Sequence, residues 1–199
     1  MSYPTLTYDA LTTIQPYSLY PLTMLDLLTD DLLALAERLR ADGYHCVVLD
    51  GTELTSKREC HLAFAYAYDF EGHNDYQGIR NPSWDSFSSE MRCAGTVVEH
   101  NQLRQQYRGF VLVYLHPKTL FDADVVNFAM LLDILIGTVA EHYRAKGIPF
   151  NVVLSPINTR LYQFLKTLKI NDRASPAFNP FLEALYDHST FDPFLEDDF

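Results

Sequence analysis

Cysteine is scarce in this chain and poorly placed for pairing. Cys46, Cys60 and Cys93 are odd in number, far apart and set inside segments that read as strand or helix, which excludes a disulfide framework and predicts free, mostly buried thiols. C-x-x-C is absent, and the seven histidines include no pair at helical metal-binding spacing, so no metal is expected. Glycine-rich phosphate loops are missing too. Gly72 and Gly78 do not join a strand to a helix, and no G-x-x-x-x-G-K-S/T occurs, so nucleotide chemistry has no support and no cofactor is expected. No run of ~20 apolar residues suggests a membrane span. Residues 1–21 alternate Tyr, Thr and Pro instead of running basic and then apolar like a signal peptide, so the chain is expected in the cytosol. Positive charge is short as well: 15 Lys and Arg face 26 Asp and Glu, a formal net charge of -11. That argues against direct binding to nucleic acid or to an anionic membrane, because both rely on Lys and Arg to neutralise phosphate. A basic protein partner suits the charge; solubility alone is the plainer reading.

What is present is a core. With 48% hydrophobic residues over 199, the chain can build one fair-sized domain, or a small one with extensions. The runs Phe110-Val-Leu-Val-Tyr-Leu115 and Phe150-Asn-Val-Val-Leu154 have the length and β-branched content of buried strands. Between them, residues 125–146 are apolar on nearly every face and predict a helix covered on most sides, with Asp122 as N-cap, Asp124 by the positive end, Arg144 and Lys146 by the negative end and Gly147 as the left-handed stop. Strand, helix, strand is a parallel crossover. Residues 44–49 read as a third strand, ended by Asp50-Gly51.

Other helices follow from spacing. Leu25, Leu28, Leu32, Leu35 and Leu39 make one face, with Thr29 a possible internal cap and Gly43 the stop; Ser56-Lys-Arg-Glu59 has capping-box spacing for a helix to about Tyr68. Asn81 and Pro82 suit the start of a helix whose apolar face is Trp84, Phe87, Met91, Ala94 and Val98, leaving Asp85, Ser88, Ser89 and Arg92 on the other side. Residues 158–170 read as amphipathic and 179–186 as a shorter helix. Residues 1–22 read as an arm without regular structure. After Arg173 there is no Lys or Arg, only acids mixed with Phe191, Phe194 and Phe199: a solvated end first, an acidic aromatic docking segment second.

Candidate chemistry is thin. Asp69 with Glu71, or Asp85 with Glu90, have the types of a general acid and base, but neighbouring carboxylates are common in an acidic chain. Cys93 could be paired on paper with His73 or His100, yet its place inside an amphipathic helix favours a buried structural thiol. Binding is the better expectation. Residues 69–81 form a polar, glycine-containing loop that includes Asp75 and Tyr76, beside the helix face carrying Asp85, Ser88 and Ser89, and these five are the expected partner-binding residues.

Taken in order, Val47-Val-Leu-Asp-Gly51, the capped helix from Ser56, Trp84-Asp-Ser-Phe87, and Ala145-Lys-Gly147 running into Phe150-Asn-Val-Val-Leu-Ser155 resemble the barstar family, inhibitors of the bacterial ribonuclease barnase. The likeness spans residues 44–155. It implies an α/β fold with a three-stranded parallel sheet flanked by helices, residues 1–43 as an N-terminal arm and packing helix, and 156–199 as a C-terminal helical extension with an acidic tail. As function it implies a non-catalytic inhibitor, an immunity protein or antitoxin that occludes a basic toxin, expected to be a nuclease, with an acidic helix and loop; the alternative is an interaction or regulatory module of the same fold without that activity. The match that buries Trp84 puts Asp85 at one of the family's interface positions and Ser89 where its main inhibitory aspartate stands. A rival match slides Trp84-Asp85 onto the family's second Trp-Asp and makes Asp85 that aspartate. Lys146 and His142 stand where the family carries acid before its last strand. Gly72-His-Asn74 looks like the family's G-x-N, with about nine further residues, 75–83, before the next helix.

Overall fold

The computed structural model describes residues 6–14, 18–22, 29–70, 83–100, 102–170 and 173–174. Its centre is strand β5, Phe110–Leu115, flanked by β6, Phe150–Ser155, and by β2, His45–Asp50, all parallel. Period-two alternation divides these apolar runs between the two faces of the sheet. Phe110, Leu112 and Tyr114 point into one core with Val152 and Leu154; Val111 and Val113 point into the other with Cys46 and Val153. Both faces are therefore covered, which is why these strands carry no polar alternation.

The α/β class and the parallel sheet flanked by helices are as the sequence predicts, but the sheet has four strands. Residues 1–22 are not an irregular arm throughout. Thr7 caps a short helix α1, Tyr8–Thr12, and Leu19–Pro21 forms β1, parallel to β6 with Leu19 opposite Val152. The order across the sheet is β1-β6-β5-β2. Pro21 is tolerated because β1 is an edge strand. Side chains hold the segment in place: the amide of Asn151 donates to the Leu11 carbonyl at 2.9 Å, and the Arg144 guanidinium donates to the Ser18 hydroxyl at 3.1 Å.

Helix α2, Thr29–Ala41, packs on the same face as α1, burying Leu32, Ala36 and Leu39; residues 23–28 lie outside those described. The opposite face carries α3, Lys57–Ala67; α4, Trp84–Cys93; the short α5, Lys118–Ala123; α6, Val125–Ala145; and α7, Thr159–Thr167. Ser56 caps α3 by accepting from the Glu59 amide at 3.3 Å, while the Glu59 carboxylate takes the Thr55 amide and hydroxyl at 2.8 Å each. Asn158 caps α7, which ends at Thr167, and Lys169–Ile170 then pairs with Arg173–Ala174 as β7 and β8.

The long helix departs from its sequence reading in three ways. Its cap is Asp124, which accepts from the Asn127 amide at 3.1 Å, because Asp122 belongs to α5 and takes Arg160 at 2.9 Å instead. Its middle, Asp133–Val139, is wound as a π-helix. Its cover is incomplete: Phe128, Leu131, Leu132, Leu135, Val139 and Tyr143 are buried, but Val125, Val126 and Met130 are exposed at its outer face. Gly147 does take the left-handed stop, at φ 74°. By length and composition α6 could cross a bilayer; half of its apolar window is buried inside the protein, as in a core helix.

Helix α4 is shorter than its apolar periodicity implies. Ser83 is its N-cap, accepting from the Asp85 amide at 3.1 Å; Asn81 and Pro82 lie outside the described residues. It stops at Cys93, and Val98 belongs to a strand, β3, Thr96–Glu99, paired antiparallel with β4, Gln102–Gln105. Cys93 is exposed where a buried thiol was expected, since Phe87 and Met91 fix the inward face of α4 and residue 93 lies two positions beyond Met91; Cys46 and Cys60 are buried. The turn out of α4 needs glycine. At Gly95 φ is 68°, and a Cβ would lie 2.7 Å from the Tyr107 ring and 2.8 Å from Phe110. Gly95→Ala is expected to lower unfolding free energy by ~2 kcal/mol from backbone strain and overpacking together, read as a lower urea midpoint.

Candidate functional site

Three of the five expected partner-binding residues come together on α4. Burial of Phe87 and Met91 turns the opposite side outward, leaving Asp85 and Ser89 exposed and Ser88 half-buried. Asp75 and Tyr76 lie outside the described residues.

The helix is pinned at both ends. At its start the Trp84 indole N–H donates to Asn127 Oδ1 at 3.0 Å, and Asn127 Nδ2 in turn donates to Asp124 Oδ2 at 2.6 Å. The Trp84 ring also lies 4.5 Å from His61 and 5.4 Å from Phe87, centroid to centroid, with Lys57 Nζ 5.6 Å from its centre. At its end the buried Tyr143 hydroxyl meets the carbonyls of Met91 at 3.1 Å and Ala94 at 2.8 Å. One hydroxyl proton serves these two acceptors, so α4 is locked to the last turn of α6 through carbonyls that the helix leaves without internal partners. The outcome is a helix held at both ends, with Asp85 and Ser89 exposed on its outer face.

Charge changes sign along that platform. Asp85 sits at the N-terminal end, where the helix dipole favours an acid. Toward the other end Arg92 Nε donates to the Ser88 carbonyl at 3.2 Å, Lys146 Nζ lies 5.8 Å from the Tyr143 ring centre, and His142 is half-buried between them. Burial, then the charges of Lys146 and Arg92, push the His142 imidazole below its usual range. Beneath Trp84 the fully buried His61 is held down to about 4, first by burial and then by Lys57.

The catalytic pairings do not take shape among the described residues. Asp85 and Glu90 are five positions apart on one helix and so point in different directions; His100 stands at the turn of the β3–β4 hairpin; Glu71 and His73 lie outside the described residues. No group of three or more His, Cys, Asp or Glu side chains able to hold a metal occurs among the described residues. Sequence reasoning missed Asn127 and His61 as supports of α4. Nothing local marks Asn127, whose role exists only because α6 passes Trp84; the three- and four-residue spacing of His61 to the buried Phe64 and Ala65 marks it as inward-facing at most.

No protein-family profile and no curated protein matches this chain. Among solved structures, a chain from one described as Drosophila ORC bound to DNA superposes with a TM-score of 0.48 at 11% identity, over 76% of this chain and 35% of that one. The chain thus spans about a third of that neighbour's length.

Proposed function

We propose that this chain is a cytosolic, non-catalytic inhibitor of barstar type, an immunity protein or antitoxin that seats α4 and the adjoining loop in the active site of a basic toxin, a nuclease in the first instance. The observation that carries the reading is the rigid, outward-facing α4 with Asp85 at its first turn, next to residues 71–82, on a parallel β2-β5-β6 arrangement whose strand words and order resemble that family. A net charge of -11 supports it, since complementary charge speeds encounter and excludes wrong partners.

Asp85→Ala is expected to weaken binding to the toxin encoded beside this gene while leaving the fold intact, because Asp85 is exposed. Tyr76→Ala, in the loop, is expected to do the same. Association should slow as salt rises. Rates measured by surface plasmon resonance at two salt concentrations, with both variants, decide it: salt-independent association that neither variant weakens removes α4 and the loop as the interface.

One observation favours a second reading, a regulatory interaction module that keeps the fold without the inhibition. Ser89 offers no charge, and the far end of the platform is cationic through Arg92 and Lys146. Under that reading the neighbouring toxin-like protein does not bind at all.

A further inference from the structure

Helix α6 holds α4 at two points that a regular α-helix would not present together. Asn127 takes the Trp84 indole at the start of α4, and the Tyr143 hydroxyl meets the Met91 and Ala94 carbonyls at its end. Asn127 and Tyr143 are sixteen residues apart, which in an unbroken α-helix places them about 160° apart around its axis, on nearly opposite sides. The buried face raises the same difficulty. Phe128 and Ala140 are twelve residues apart, as are Leu131 and Tyr143, so each pair should stand ~120° apart, yet all four side chains are buried in one core.

What lies between the members of each pair is the π-helical stretch Asp133–Val139. A π turn closes i→i+5 and so takes in about one residue more than an α turn, which sets everything after it back by ~100°. With that setback Asn127 and Tyr143 come within about 60° of each other, and the two buried pairs within about 20°. Helix α4 also packs against the π-helical stretch itself. Gly137 lies inside it, where the lack of a side chain leaves the backbone freest to widen. We propose that this π turn is the positioning element of α4: its extra residue sets the phase of the second half of α6, so that Asn127 and Tyr143 hold α4 from the same side and fix the face bearing Asp85 and Ser89 outward. That aim is the same whether or not a toxin is the partner.

Removing the extra residue tests this. In full chains lacking Gly137, or separately lacking Thr138, residues 133–139 should close as ordinary α-helix with the two halves of α6 still in phase. Trp84 is the chain's single tryptophan, so its emission reports the start of α4 alone, and Tyr143→Phe reports the other end. The deletions should leave Trp84 emission and amide exchange across residues 84–93 as in the parent. Tyr143→Phe should then speed exchange in the last turn of α4 roughly tenfold in parent and deletion alike, the effect of one lost hydrogen bond. Inserting one alanine between Gly137 and Thr138 should do the reverse: Tyr143 turns ~100° away, exchange across residues 84–93 rises, and Tyr143→Phe adds nothing further. The proposal is overturned if neither deletion gives a folded chain with α4 still held, or if Tyr143→Phe has the same effect after the insertion as before it.

Discussion

Leu132→Ala should cost ~2–5 kcal/mol of unfolding free energy, the range for emptying a leucine-sized volume in a core that collapses only in part. Leu132 is fully buried on the inward face of α6, within the core that the helix shares with β5, β6 and α4. Glu141→Ala, on an exposed position of the same helix, should stay within ~0.5 kcal/mol. Guanidinium unfolding of both variants checks the pair. A midpoint for Leu132→Ala indistinguishable from the parent would mean that α6 is not the packed centre of the helical face. Because Tyr143 and Asn127 of the same helix hold both ends of α4, the Leu132 variant should also loosen the platform, seen as faster amide exchange in residues 84–93.

The elements read correctly from sequence are those whose signal is local and continuous. β5 is apolar without interruption, and β6 nearly so apart from Asn151 and Ser155, because both of their faces are buried, and α3 announces its start through Ser56 and Glu59, a side-chain exchange complete within four residues. What escapes is stabilised from far away. β1 is three residues long and contains Pro21; it exists as a strand because β6 lies beside it, some 130 residues later in the chain, and because Asn151 and Arg144 reach across to the backbone and side chain of its approach. The β3–β4 hairpin was hidden by a coincidence of period: Val98 falls at the helical spacing set by Phe87, Met91 and Ala94, yet Gly95, which must adopt a left-handed backbone between the Tyr107 and Phe110 rings, ends the helix first.

The candidate site divides the same way. The outward set of Asp85, Ser88 and Ser89 follows from the apolar face opposite, so sequence sufficed. Its rigidity does not, since it depends on Trp84 meeting Asn127 and on Tyr143 meeting Met91 and Ala94 across two helices. The cationic end of the platform has a physical account of its own: α4 and α6 both finish there, and Arg92 and Lys146 face the negative ends of two helix dipoles. These cations stabilise the two helix ends by themselves, so their presence weighs less against the proposed acid-led interface than the missing carboxylate at Ser89.

Acid should destabilise this protein well before its carboxylates are titrated, and His61 should carry the largest single share. Its imidazole is fully buried between Trp84 and Phe87 and is held down to about 4, whereas an unfolded chain binds that proton near pH ~6.5. Above that pH both states are neutral and the full stability is present. As pH falls from ~6.5 toward 4 the unfolded state takes up the proton first, so stability drops by about 3 kcal/mol in all and then levels off for this group. His45 and His142, also shifted downward by burial first, add smaller losses in the same window. Asp50, Glu59 and Asp124, whose pKa values are lowered mainly by hydrogen bonds to their carboxylates, add theirs only at lower pH. Urea midpoints measured between pH 7.5 and about 4 in the parent and in His61→Leu separate these contributions. The variant should keep a shallow slope from His45 and His142 and lose most of the rest. A parent and variant with parallel slopes would mean that His61 is not held neutral beneath Trp84, and that α4 rests on its bonds to α6 alone.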